Sequence, residues 1–302
     1  HTHSHTHSQT HSLTHSLTDT HMYNFTLQIA NASAHTQIRA QAFKHTCTLT
    51  PACREIGRER EKMRQLLLVS SSTKFGTEYL EHCADEVVRF LSGTKKTVFI
   101  PYALKDWDAY AEKARSGFMK MGLSGLVSIH EGPSPREALE SADSVFVGGG
   151  NTFRLLKTLY DLDLVDLIRQ RVLSGEMRYL GTSAGTNVAT PTIKTTNDMP
   201  IVQPPTFDAL ALVPFQINPH YTDALPDEHM GESREKRLAE FHEENSTPVV
   251  GLREGDMLRV EGTTVKLVGS VGSRLFEQGV APRELELGSD LSFLMASCPP
   301  DP

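Results

Sequence analysis

From residue 66 onward, short, mostly apolar runs alternate with longer stretches whose apolar positions recur every three or four residues. The runs are 66–70, 98–102, 126–129, 144–147 and 177–181. Mostly apolar runs of four or five residues, without polar alternation, predict strands buried on both faces. Between them, 76–91, 106–121, 135–141 and 151–174 have helical spacing, with Leu155, Leu159, Leu162 and Leu167 as core positions of the last. Such alternation predicts an α/β fold, a mostly parallel sheet sandwiched by helices. Ligands of such sheets sit beyond the carboxyl ends of the strands. Three conspicuous loops fall there: Pro101-Tyr102-Ala103, Gly148-Gly149-Gly150-Asn151, and the turn that follows Gly181.

Beyond residue 212 the pattern changes. Residues 214–220 read as a strand running into a loop, 232–244 as a charged helix, 248–252 as a strand, and 257–271 as a hairpin around Gly262-Thr263. A single domain over 63–280 is expected. Residues 281–302 are poorly patterned, end in Pro-Pro-Asp-Pro, and are expected to form a C-terminal tail. At the other end, residues 1–16 repeat a four-residue His- and Thr-rich unit, and nine of the fourteen histidines precede residue 46. His-rich tracts can bind metals. Translated simple repeat is the better account, so residues 1–62 are expected to be a low-complexity leader outside the fold.

Charge narrows the partners. Residues 63–302 carry 24 Lys and Arg against 33 Asp and Glu, a net charge of −9. That argues against binding along a nucleic-acid backbone. No apolar stretch is long enough to span a membrane. The four cysteines, Cys47, Cys53, Cys83 and Cys298, show neither a disulfide framework nor a metal spacing. A cytoplasmic protein without metal or cofactor is expected.

The chemistry concentrates at Gly181-Thr182-Ser183-Ala184-Gly185. An apolar strand entering G-x-S-x-G spells a nucleophile elbow, a strained strand-to-helix turn that pushes one hydroxyl outward. Ser183 is the candidate nucleophile. The Ala184 N–H, opening the helix, is a candidate oxyanion donor. A serine needs a base, and the base needs an orienting acid. Past the leader the histidines are His82, His130, His220, His229 and His242; His220 ends a strand downstream of the elbow and is favoured. Asp198, in a polar turn, could be the acid or merely an Asx turn. Glu254, closing a later strand, is its rival. Gly149 and Gly150 could present backbone donors to an oxyanion or make a tight turn, at near parity.

These blocks together resemble the peptidase E family of α-aspartyl dipeptidases, serine peptidases with a class I glutamine amidotransferase-like, flavodoxin-like three-layer fold. The resemblance rests on LLLVSSST at 66–73, VFIP at 98–101, VGGGNTF at 147–153, GTSAGTN at 181–187 and PTIKTTNDMPIV at 191–202. It continues through FDA at 207–209, QINPH at 216–220, ALP at 224–226, GESREKR at 231–237 and GLREG at 251–255. It implies metal-free hydrolysis of dipeptides with a free N-terminal aspartate, with Ser183 as nucleophile and His220 as base. Either Asp198 or Glu254 would complete the relay, and the backbone of Ala184 and of the glycine run would hold the oxyanion. Arg234 matches an arginine that pairs with the substrate's aspartyl carboxylate, and Asn151 joins it as a substrate contact. Without the resemblance, Arg234 would read as a solvated charge on its helix. Thr182 departs from relatives with a bulky aromatic there. The alternatives are a cyanophycinase-like peptidase acting on β-Asp-Arg bonds and a non-catalytic member of the same fold; a monomer or homodimer is expected.

Overall fold

The computed structural model describes residues 63–223 and 232–296, which belong to one compact unit spanning 58–302. The expected leader, His229, Gly231, the 224–226 block and the Pro-Pro-Asp-Pro end lie outside the described residues.

Five parallel strands form the main sheet: β1 (Gln65–Val69), β2 (Thr97–Ile100), β3 (Leu126–Ser128), β4 (Ser144–Val147) and β5 (Arg178–Thr182). An antiparallel hairpin of β8 (Met257–Glu261) and β9 (Thr264–Val268) extends it beside β1, giving the order β3-β2-β4-β5-β1-β8-β9. Alternate strand residues feed two cores, as the two-residue period of a strand requires. Leu66, Leu68, Val98, Ile100, Val145 and Val147 pack with α4 (Thr152–Asp161) and α5 (Val165–Leu173) on one face. Leu67, Val69, Phe99, Phe146 and Leu180 pack with α1 (Ala84–Phe90) and α2 (Trp107–Lys120) on the other. The remaining helices are α3 (Pro135–Glu140), the single turn α6 (Ala184–Asn187) and α7 (Arg234–Glu244).

A second sheet, in the order β11-β10-β7-β6, comprises β6 (Gln216–Tyr221), β7 (Val249–Arg253), β10 (Ser273–Glu277) and β11 (Val280–Leu285). Ile217, Val250, Leu252 and Leu275 bury one face in the core that α4 and α5 share, while Tyr221, Val249 and Phe276 pack on Leu238 of α7.

Three expectations are corrected. The stretch 151–174 is two helices, because the chain turns at Asp163 with φ 52°, a left-handed conformation that aspartate tolerates. Leu155 and Leu159 are fully buried, Leu167 packs at the core margin, and Leu162, capping α4, is exposed. Only 81–90 of the 76–91 stretch is helical, a 3₁₀ turn over Glu81–Cys83 leading into α1. Finally, the fold continues past residue 280: β11 pairs with β10, and Leu285, Leu291 and Leu294 are buried in the main core.

The burial of these three leucines has a measurable consequence. Each buried leucine contributes about 1.5–3 kcal/mol, so ending the chain at residue 280 should cost roughly 4–9 kcal/mol, comparable to the whole stability of a domain. Calorimetry should show a greatly lowered or absent transition in the truncated chain; an unchanged transition would return residues 281–296 to the status of a tail.

Candidate active site

The elbow follows from what glycine permits. A Cβ on Gly185 would stand 2.1 Å from the Val147 carbonyl oxygen, and one on Gly181 would stand 2.7 Å from the Gly185 carbonyl. Only without those carbons can α6 press against β4 and β5. Ser183 takes φ 53° and ψ −109°, strained for an L-residue, and its N–H donates to the Val69 carbonyl at 3.1 Å. The Thr186 hydroxyl also donates to the Val69 carbonyl, at 2.7 Å. The Ala184 N–H begins the first turn of α6, where no intrahelical acceptor exists.

The Ser183 hydroxyl lies 2.8 Å from His220 Nε2, and His220 Nδ1 lies 2.7 Å from Glu254 Oε1. These three residues form a continuous hydrogen-bonded chain across both sheets. The parallel β6–β7 pairing places Glu254 there: it matches Pro219 with Leu252 and Tyr221 with Arg253, passing over His220 as an extra, bulged residue. With φ 54° at the bulge, the imidazole swings toward the elbow. Pro219 is tolerated because β6 is an edge strand. Beyond Glu254 the turn is fixed by fully buried Asp256, whose carboxylate accepts from Ser270 N, Val271 N and the Ser273 hydroxyl at 2.9–3.0 Å.

Of the two candidate acids it is Glu254 that is hydrogen-bonded to His220, and Asp198 stands elsewhere. Its Oδ2 accepts from Thr152 N at 2.8 Å, the Thr152 hydroxyl at 2.6 Å and the Thr196 hydroxyl at 3.1 Å. The carboxylate thus closes the N-terminus of α4, where a negative charge meets unpaired N–H groups and the positive end of the helix dipole. Asn151 is engaged at both ends: its Oδ1 accepts from Arg154 N at 3.0 Å as the N-cap, and its Nδ2 donates to the Met199 carbonyl at 2.8 Å. Both ends of its amide are thus held by the protein at the edge of the glycine run. Asn197 Nδ2 in turn donates to the Pro219 carbonyl at 2.7 Å. The 195–199 loop therefore ties the glycine run to the strand that presents His220.

The glycine run passes directly beside the nucleophile. A Cβ on Gly149 would stand 3.0 Å from Ser183 Cβ, and one on Gly150, at φ 134°, would stand 2.7 Å from the Ala103 carbonyl. All three loops singled out by the strand pattern therefore converge. Arg234 opens α7 behind the Ser233 cap. Burial and the neighbouring Arg237 pull its guanidinium down, against the opposite pull of Asp198. Among the described residues no carboxylate forms an ion pair with it. Cys83 is no rival nucleophile, since burial pushes its thiol up to about 12. No group of three or more His, Cys, Asp or Glu able to hold a metal occurs among the described residues, and no described helix is long and apolar enough to cross a membrane.

Three positions beside the chain escaped sequence reading: Ser70, Asp256 and Asp223. Ser70 Oγ accepts from His220 N at 2.9 Å and donates to the Leu252 carbonyl at 2.8 Å. A serine closing an apolar strand at the ligand-bearing end of a parallel sheet was the available signal. Asp223 receives both Arg253 Nε and Nη2 at 2.6 Å, a bidentate pair that locks the strands carrying His220 and Glu254.

A model of the peptidase family S51 matches residues 66–268. Peptidase E of Streptomyces coelicolor is 53% identical over 231 residues, 76% of this chain and 94% of its own length. The Drosophila melanogaster protein named probable alpha-aspartyl dipeptidase is 47% identical over 77% of this chain and 98% of its own. A solved structure from Listeria monocytogenes EGD-e, of a protein assigned to peptidase E, superposes with a TM-score of 0.53 at 26% identity, covering 69% of this chain and all of its own.

The Asp223 pair makes stability pH-dependent. Hydrogen bonds from Arg253 hold the Asp223 carboxyl below its usual range. A carboxyl depressed in the folded state stabilises fully above its unfolded value, near 4, and that contribution vanishes as pH falls through the folded value. Half-exposed as it is, the pair should be worth about 0.5–1 kcal/mol. Urea unfolding should find Asp223→Asn that much weaker than wild type at pH 7, with the difference closing below about pH 4. A gap independent of pH would refute the linkage.

Proposed function

The chain belongs to peptidase family S51, and from that premise we propose that it is a serine dipeptidase releasing N-terminal aspartate from Asp-Xaa dipeptides through an acyl-enzyme. The observation that carries this reading is the Ser183–His220–Glu254 chain, with both hydrogen bonds at 2.7–2.8 Å. That spacing suits a hydroxyl activated by an imidazole whose tautomer a carboxylate fixes.

Ser183 Oγ attacks the scissile carbonyl carbon as its proton passes to His220 Nε2. Glu254 accepts from Nδ1–H and stabilises the imidazolium. The carbonyl oxygen, now an oxyanion, is received by the backbone N–H of Ala184 and of the glycine run, Gly150 and Gly149 being the donors beside it. When the tetrahedral species collapses, the C–N bond breaks and the leaving amine takes the proton from Nε2. A water then gives its proton to Nε2 and attacks the ester carbon, and the proton returns to Ser183 as aspartate leaves.

Arg234 is the group we assign to the substrate's side-chain carboxylate. Its guanidinium is partly desolvated and meets no carboxylate in ion-pair contact among the described residues, and a planar fork can grip a carboxylate with two parallel hydrogen bonds. Uncharged first residues would leave it unpaired, at a desolvation cost of about 1–3 kcal/mol or more. Asp198 acts here through the loop it anchors. Scattered cysteines favour action in the cytoplasm.

The direct test is hydrolysis of Asp-Leu against Leu-Leu and β-linked Asp-Leu, with chelator present. Cleavage of α-linked Asp-Leu alone, abolished in Ser183→Ala, is expected; no cleavage by folded wild-type protein would overturn the reading. The two acids should separate in the same assay. Glu254→Gln is expected to lower kcat about 10³- to 10⁴-fold by disturbing the imidazole tautomer, and Asp198→Asn less than about 10-fold, as loss of a helix cap implies. Arg234→Met should raise KM for Asp-Leu while leaving the reaction of Ser183 with a small fluorophosphonate intact.

A further inference from the structure

The triad is divided between two sheets. Ser183 follows β5 of the main sheet, whereas His220 and Glu254 lie on β6 and just past β7 of the second. Something must register one sheet against the other to within a fraction of an ångström, because reacting groups lose efficiency steeply when misplaced.

The end of β1 meets every part of this arrangement. Val69 O receives Ser183 N, and Ser70 N donates to the Asp256 carbonyl at 3.1 Å, on the turn beyond Glu254. The Ser70 hydroxyl, fully buried, does what backbone pairing cannot. Because His220 is the bulged residue, it has no counterpart in the β6–β7 register, and its N–H goes to Ser70 Oγ. The same hydroxyl gives its proton to the Leu252 carbonyl, two residues before Glu254. One side chain of the main sheet therefore holds the backbone of the base and the strand of the acid simultaneously.

We propose that Ser70 is a positioning residue for the triad: its hydroxyl holds His220 in its left-handed conformation and sets the imidazole between Ser183 and Glu254. The inference rests on the serine-peptidase reading of the site, and its role is carried wholly through His220 and Glu254, without contact with substrate. Removing the hydroxyl takes away the partner of the His220 N–H and one donor to the Leu252 carbonyl, and frees the bulge to relax toward extended conformations, which an L-residue prefers.

The experiment compares full-length wild type, Ser70→Ala and Ser144→Ala. Ser144 is an internal control: its hydroxyl bonds the Thr97 hydroxyl at 2.8 Å, equally buried, at the opposite end of the parallel strands. Melting temperature, kcat and KM for Asp-Leu, and the rate of Ser183 phosphonylation by a fluorophosphonate are measured for each. Both variants should melt lower than wild type. Ser70→Ala alone should lose kcat and phosphonylation rate, by about 10- to 100-fold, with KM within about twofold, and should lose the Nδ1–H proton signal of the His220–Glu254 bond in the NMR spectrum. Equal kcat and phosphonylation in Ser70→Ala and wild type would overturn the proposal, as would matching losses in Ser144→Ala. If wild type reacts with the fluorophosphonate yet leaves Asp-Leu intact, the substrate assignment fails while the phosphonylation rates still decide the role of Ser70.

Discussion

A backbone held where an L-residue does not rest is the constraint on which the rest depends. Ser183 at φ 53° carries strain of about 1–3 kcal/mol, and its neighbours are arranged to keep it there. The Val69 carbonyl takes its N–H, the Thr186 hydroxyl closes on the same carbonyl, and the Tyr179 hydroxyl donates to the Gly185 carbonyl at 2.5 Å. Gly185 lets this tight turn lie against β4. Placing Ser183 is thus a property of three adjacent parallel strands, β4, β5 and β1. A second left-handed residue, His220, faces it from the other sheet, so the hydrogen bond between His220 and Ser183 joins two strained backbones.

The two acids show how similar side chains diverge by position. Glu254 follows β7 and remains substantially exposed, 44% of its side chain, while one oxygen meets the imidazole. Asp198 faces N–H and O–H donors on α4 and its own loop, and its charge is balanced by the helix terminus. Asp198 thus binds the start of α4 beside the glycine run, and Glu254 binds the imidazole of His220.

Much of this was legible because parallel strands buried on both faces write themselves as short, mostly apolar runs without alternation. The five main-sheet strands, the Ser183 elbow and His220 could be read that way. Other features have no one-dimensional signature. β11 is an edge strand with Pro282 inside it and four of six residues exposed, so it lacks both apolar run and alternation. The break at Asp163 has neither glycine nor proline to announce it. Choosing between Asp198 and Glu254 depended on which strand pairs with β6 and where its register slips, information that emerges only when distant segments meet. Ser70 stayed hidden because a buried hydroxyl looks like any other small residue until its partners, 150 and 182 positions away, are known.

The glycines of the elbow outrank the serine in one respect. Exchanging the Ser183 hydroxyl for another small group leaves every backbone contact of the turn intact, whereas a methyl group on Gly185 collides with the carbonyl of Val147. A lineage descending from this chain can therefore shed or change its chemistry at position 183 and still inherit the shape. The shape of the turn is held by the residues without side chains, and the reactive atom is the more replaceable part of the motif.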